Sequence, residues 1–569
     1  MKKNLFLFIL GLLLISMWSM AQSRIVEHPQ YESTNTGSLE INKLELKNSE
    51  TVLYFDGFEQ PNRWIYLSSK SYLKGKSGKI YKFLHSEGFD MDKQIFMPAS
   101  GTVSFKLLME PLDKKETSFD FIEGENSDQF RIMGVEIYKN KLKDAPIHCI
   151  IKGEVIDRPE SKRLILIKTG EDARISAKYI TIRNGKFEYK LDCKDLQAYD
   201  LIFYDEHQQG MMRPVTFFAE PGTVYLKLYP MSRYKENVIA GEPKSITSFN
   251  NEFSKRSVKV VKKGALNREW AKFLIVKDSF VTSGDIAKEK ERIVKENEKL
   301  NNANLRYTDA AKEVMKQIGP NTDKHVSDSL IVVLNKLQET GGMFTPEAMA
   351  LDKQNKEMYD QYFKFDLKFS RENPSIVGYS LLVNATTIAL QNFKELVPEC
   401  IDLYNSIYAK KYPKHPYTEQ MKDKIMSFTS VKVGGMYIDF TAPDFNGHPM
   451  LLSEQIKDKV ALIDLWASWC GPCRRSAKSM IPVYETYKGR GFTIVGVARE
   501  NEFENGVTAA KKDKYTWLNL IELKDAGKIW EKYGVGNGGG GTFLIDKKGI
   551  ILAIDPTDKE VKAILDKLL

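Results

Sequence analysis

The chain has 569 residues, of which 42% are hydrophobic and 28% charged, and its formal net charge is +9. That length exceeds what one hydrophobic core organises, so three or four domains are expected, with the composition of a folded soluble protein. The basic excess is thin, and no dense Lys/Arg patch interleaved with aromatics occurs, which argues against a nucleic-acid binder.

The N-terminus reads as a targeting segment rather than structure. Lys2 and Lys3 form a basic start, Leu5 to Met17 is almost continuously apolar, and Ser19-Met20-Ala21 offers small residues for cleavage before Gln22. The apolar stretch is short for a membrane span, and no later stretch is long and apolar enough to cross a bilayer. Residues 1–21 are therefore expected to be a cleaved signal peptide. The mature protein is then periplasmic or secreted, without a transmembrane segment.

Residues 22–145 read as a β-sandwich-like domain. Val52-Leu53-Tyr54-Phe55, Trp64-Ile65-Tyr66-Leu67, Thr102 to Leu107 and Ser118 to Ile122 are strand-like, with glycines between them. Residues 146–240 read as a second β domain. Within it Tyr179 to Arg183 and Lys186 to Leu191 flank Asn184-Gly185, a dipeptide that tolerates positive φ and predicts a hairpin. Residues 241–430 change to helical texture. Thr345-Pro346 is a cap followed by a proline at the first helical position, and Asn373-Pro374-Ser375 reads as a similar start. Residues 431–569 alternate strands with helices, which makes an α/β domain.

Only five cysteines occur: Cys149, Cys193, Cys400, Cys470 and Cys473. An exported chain meets oxidising surroundings, yet five are too few for a disulfide-stapled scaffold. Cys149 and Cys193 either pair or serve as small apolar side chains, with the second reading preferred, and Cys400 reads as helix core. Trp469-Cys470-Gly471-Pro472-Cys473 is different. It follows the apolar run Val460 to Trp466 and opens a helix-like segment. The positive end of a helix favours thiolate over thiol, so Cys470 is expected to attack a disulfide and Cys473 to resolve the mixed disulfide. The seven histidines show no metal-ligand spacing, and the glycine run 538–541 precedes a strand rather than a helix, which excludes a phosphate loop. No metal and no cofactor beyond the redox-active Cys470–Cys473 disulfide is expected.

Ala442-Pro443-Asp444-Phe445, Ile463 to Arg474 and Phe543-Leu544-Ile545-Asp546 give the last quarter of the chain a clear resemblance. It is similar to thioredoxin-fold domains of the TlpA/ResA type of extracytoplasmic disulfide oxidoreductase. The resemblance implies a C-terminal α/β thioredoxin fold behind N-terminal β-sandwich-like and helical regions for which it implies no function. It implies that Asp464, six residues before Cys470, is a buried acid of raised pKa that takes the proton of Cys473. It implies a shielded Cys473 and a substrate groove around Trp469, Gly471, Pro472, Gly540, Gly541 and Thr542. Trp466 is either a second wall or core, and Arg474 and Arg475 are read as solvating the helix face.

One departure stands out. Thioredoxin-like domains carry a cis-proline where this chain has Gly540. A cis bond before a non-proline residue costs about 2.5–4 kcal/mol, so a trans loop and a more open groove are expected.

The residues and the resemblance together imply a thiol–disulfide oxidoreductase. The Gly-Pro dipeptide, matching reducing thioredoxins, favours reduction of protein disulfides, with electrons from a membrane thiol donor. The alternative is an envelope binding or assembly protein with an auxiliary thioredoxin-like domain. A thiol peroxidase fits poorly, because no separate peroxidatic cysteine context is evident.

Overall fold

The computed structural model describes residues 24–124, 129–138, 147–211, 213–230, 238–240, 265–319 and 324–569. The expected signal peptide, residues 1–21, lies outside them, as do the expected boundary near 145 and residues 241–264, where the helical region was expected to begin.

The first β region holds a nine-stranded sheet, with Arg24–Glu27 at one edge and Ser33–Thr34 at the other, and a two-stranded ribbon of Trp64–Ile65 and Ile95–Phe96. Three strands separate Thr51–Phe58 from Ser118–Ile122 in that sheet. A flat sheet would hold them roughly 19 Å apart, at about 4.8 Å per step. Instead the rings of Phe55 and Phe121 lie 5.1 Å from centroid to centroid. The sheet folds over on itself, and the alternating residues Leu53, Phe55, Leu107 and Phe121 fill the space between its halves.

The second β region has two four-stranded sheets. Asn184 and Gly185 both take positive φ, 51° and 70°, as the turn reading requires. The predicted hairpin does not continue beyond that turn, however. Only Arg183 and Lys186 form a bridge across it. Lys178–Thr181 pairs with Arg163–Lys168 in one sheet, and Lys186–Cys193 pairs with Ile147–Val155 in the other. Crossing between sheets gives Lys186–Cys193 an eight-residue register with a longer partner. It also lets Ile180 and Phe187 both become buried. Cys149 is opposite Leu191 and Cys193 opposite Ile147 on these paired strands, and both are free thiols. Cys149 is buried, which pushes its thiol up to about 12.

The helical region, Ala265–Met421, is a unit of its own among the described residues. Thr345 caps Pro346–Glu372 through its hydroxyl, as read. Ser375 caps Ile376–Asn392, so Pro374 precedes the cap instead of opening the helix. Its missing N–H is thus spared from the helical ladder altogether.

The C-terminal domain belongs to the same unit as the β regions. Its sheet runs Leu518–Leu523, Phe492–Glu500, Val460–Trp466, Gly541–Ile545, Ile551–Ile554. The first three strands are parallel and the last two join antiparallel. Helices Gly471–Tyr487 and Asp558–Leu568 cover one face with Met480, Val483, Val561 and Leu565.

Ion pairs tie this domain to the β regions. Lys524 reaches Glu32 at 2.7 Å, and Arg131 pairs with Glu502. Arg499, only 3% exposed, binds Asp525 and also Asp172 of the second β region at 3.2 Å. Removing one partner of a buried pair leaves the other charge stranded. Arg499→Ala should therefore cost about 3–5 kcal/mol in urea unfolding, while Lys547→Ala on an exposed turn should stay within about 0.5 kcal/mol.

Candidate active site

Strand Val460–Trp466 is buried along its whole length and lies mid-sheet, so its C-terminal end is fixed from both sides. The chain then turns through Ala467-Ser468-Trp469 and enters helix Gly471–Tyr487, with Cys470 as the N-cap. The Sγ of Cys470 accepts the Cys473 amide at 3.3 Å, and the Arg474 amide donates to the Cys470 carbonyl at 3.1 Å. A sulfur thus takes the place that an oxygen usually fills at a helix start, where a negative charge is stabilised by the helix dipole. Pro472 sits in the first turn, where its missing N–H removes no helical bond. Cys470 and Cys473 form a disulfide with Cα atoms 5.4 Å apart.

Asp464 lies on the same strand face as Trp466, two residues on. Trp466 is fully buried and packs in one apolar cluster with Cys473 and Tyr515. Asp464 is itself 3% exposed, and burial, with a smaller push from the charge of Asp555, raises its carboxyl to about 7. The acid expected beneath Cys473 is thus on the cysteine's side of the sheet. Trp466 is core rather than wall, and Trp469, which packs against Trp530 at 5.9 Å, is the half-buried aromatic beside the disulfide.

Three expectations are corrected. Cys473 was expected to be the shielded sulfur, but Cys470 is only 4% exposed while Cys473 is half-buried. Cys470 belongs to the buried apolar cluster that also holds Ile529, Trp530 and Tyr533. Gly541 and Thr542 are not groove residues. Both are buried in the strand, opposite Leu465 and Asp464, and the Thr542 amide donates to Asp555 at 2.8 Å. Arg474 does not merely solvate the helix. It forks onto Asp513 at 2.6 and 3.0 Å and donates to the Ser468 carbonyl at 3.1 Å.

Gly540 is where the glycine run meets the disulfide. Its amide donates to Cys473 Sγ at 3.1 Å, and the described residues contain no cis peptide bond. A Cβ on Gly540 would lie 1.8 Å from the Leu465 carbonyl oxygen and 3.0 Å from Cys473 Sγ. The glycine therefore serves close approach, and the wall it forms is tight, not more open. A proline there would lose the bond to sulfur and push the central strand's carbonyl aside.

Sequence reading missed several residues that the fold gathers here. Glu500, 1% exposed, accepts from the amide and hydroxyl of Ser468, and burial holds its carboxyl up to about 7. Arg174, from the second β region, lies 3.6 Å over the ring of Trp469 and donates to the Asn537 carbonyl. Nearly three hundred residues separate Arg174 from the motif, and no sequence pattern connects them. Among the described residues, no group of His, Cys, Asp and Glu is arranged to hold a metal.

Residues 433–554 match the AhpC/TSA family. Over 126 residues the chain is 32% identical to the thiol-disulfide oxidoreductase ResA of Geobacillus kaustophilus, covering 22% of this chain and 70% of that protein. It is 29% identical over 143 residues to ResA of Geobacillus thermodenitrificans, 25% of this chain and 80% of the relative. The chain belongs to the ResA family of thiol-disulfide oxidoreductases. A solved thioredoxin domain of a thiol-disulfide oxidoreductase from Bacteroides vulgatus is 26% identical, with 24% of this chain and 99% of that one covered and a TM-score of 0.23. The ResA-like part is thus the last quarter of the chain, and it is an enzyme domain with a thioredoxin-like fold.

The raised carboxyl of Asp464 gives a pH signature. The native state keeps its proton to about pH 7, whereas the unfolded chain loses it near the ordinary value of 3.8. Stability from this residue is therefore lost as pH rises between those values. Asp464→Asn removes the titration, so the stability of the variant relative to wild type should grow by up to about 4 kcal/mol from pH 4 to pH 8. Paired denaturant curves on the oxidised protein measure it, and a flat difference would contradict the assignment.

Proposed function

We propose that the protein is an extracytoplasmic reductase of protein disulfides that works through Cys470 and Cys473, with Asp464 as the proton acceptor. The observation that carries this reading is the disulfide at the sulfur-capped start of helix Gly471–Tyr487, with the buried carboxyl of Asp464, raised to about 7 by burial, on the same strand face as Trp466, which packs with Cys473.

In the reduced protein the Cys470 thiolate attacks one sulfur of a client cystine. A Cys470–client disulfide forms and the client's S–S bond breaks, releasing one client thiolate, which takes a proton. Asp464 accepts the proton of Cys473, and the resulting thiolate attacks the Cys470 sulfur. The second client thiolate leaves, and the Cys470–Cys473 disulfide closes. Two electrons have moved from the protein dithiol to the client. A dithiol donor must return them, and a membrane thiol carrier on the same side of the envelope fits that need.

Trp469, Gly471, Pro472 and Gly540 form the client groove in this reading. Gly471 and Pro472 are exposed, and Gly540 and Trp469 are half-buried. Export is supported by Lys2, Lys3, the apolar run and Ser19-Met20-Ala21. No helix among the described residues is long and apolar enough to cross a membrane. The Gly-Pro pair between the cysteines favours reduction over oxidation. The ion pairs that join the β regions to the thioredoxin-like domain favour regions that serve the exchange reaction over an independent binding protein.

In the presence of dithiothreitol, the full-length protein should accelerate insulin disulfide reduction, and Cys470→Ser should lose at least about 99% of that activity, because no nucleophile replaces the thiolate. Equal rates for the two proteins would remove the enzymatic reading of this site.

A further inference from the structure

Cys470 is only 4% exposed, yet exchange requires a client sulfur to come in line with it. Trp469 and the segment Asn537–Gly540 stand beside the disulfide: Trp469 adjoins Cys470, and Gly540 is bonded to Cys473 Sγ. One side chain spans these two walls. The Arg174 guanidinium stacks on the Trp469 ring at 3.6 Å and donates to the carbonyl of Asn537.

The arginine is held in place from behind. Asp172 accepts from the Arg174 amide at 2.9 Å and from its guanidinium at 3.0 and 2.8 Å, and it also receives Arg499 at 3.2 Å. The Asn501 amide donates to the Arg174 carbonyl. Residue 174 is therefore anchored to the thioredoxin-like domain through both its backbone and its neighbour. Beside it opens a cavity of about 560 Å³, bordered by Tyr204 and His207 from the β region and by Ser468 and Glu500 from the thioredoxin-like domain. That space gives the guanidinium room to withdraw without unfolding anything.

We propose that Arg174 is a specificity-determining residue for the exchange reaction, a crossbar that polypeptide clients must displace to reach Cys470. An extended chain carrying a cystine has to lie across both walls, so it competes with the arginine for the Trp469 face and the Asn537 carbonyl. A small disulfide needs only one sulfur at the site and competes far less. The residue acts on passage, not on the electrons. This rests on the reading of Cys470–Cys473 as the exchanging pair.

The test uses the full chain with Arg174→Ala and Arg174→Lys, the second retaining the charge but not the flat fork. With insulin as substrate, Arg174→Ala should raise the rate at least about thirtyfold and Arg174→Lys by a smaller factor, matching the loss of one stacked cation and one charged hydrogen bond from the closed state. With 2-hydroxyethyl disulfide both variants should change by less than about twofold, and the equilibrium constant of the disulfide against glutathione should hold within about twofold. Insulin rates that stay level or fall in Arg174→Ala would overturn the proposal, as would equal gains with both substrates. If wild type and Arg174→Ala both lack Cys470-dependent turnover, the exchange reading itself fails and the crossbar with it. Cys470-dependent turnover in wild type with no effect of Arg174 refutes the crossbar alone.

Discussion

The positive end of helix Gly471–Tyr487 governs the site. The amides of its first turn need an acceptor, and the sulfur of Cys470 supplies it. The same geometry that satisfies the helix start would stabilise a thiolate once the disulfide is reduced, so the cap and the proposed nucleophile are one atom. Everything else in the domain fixes where that atom stands. The wholly buried strand Val460–Trp466 sets the height of the turn, and the fork from Arg474 to Asp513 and Ser468 holds the first helical turn to the loop before it.

Burial then sets the chemistry around the sulfurs. Asp464 shares the strand face that packs towards Cys473, and its desolvated carboxyl titrates near the range in which a thiol proton must be handed over. Glu500 is similarly raised, but its oxygens are committed to Ser468, which makes it a strut for the loop. Gly540 completes the constellation because only a residue without a Cβ fits between Leu465 and Cys473 while keeping its amide on the sulfur.

Much of this was legible in the sequence, because it is local. The strand and the Cys-x-x-Cys at the helix start follow from hydrophobic runs and from chemistry along one stretch of chain, and the acid six residues earlier came with the family resemblance carried by that stretch. The alternation of β, helical and α/β texture was legible for the same reason. What escaped depends on contacts distant in sequence. Asn184-Gly185 dictates its own turn, but whether the flanking strands pair depends on partners at 147–155 and 163–168. The burial of Cys470 belongs to an apolar cluster drawn from distant parts of the domain, and the crossbar to a residue of another region. The glycine run was readable as a departure, yet its meaning, tight contact instead of an open loop, required the position of the Leu465 carbonyl.

Arg499, Arg131 and Lys524 join the β regions to the thioredoxin-like domain that carries the disulfide. The proposed exchange nevertheless turns on one atom, the Cys470 sulfur, as the attacking group. Mixing reduced Cys473→Ser and Cys470→Ser variants with insulin and mapping the adducts by mass spectrometry tests it directly. A stable insulin–Cys470 disulfide is expected in Cys473→Ser, which lacks the neighbouring thiol that would release it, and almost none in Cys470→Ser. An adduct confined to Cys473 in the Cys470→Ser variant, or none in either, would contradict it.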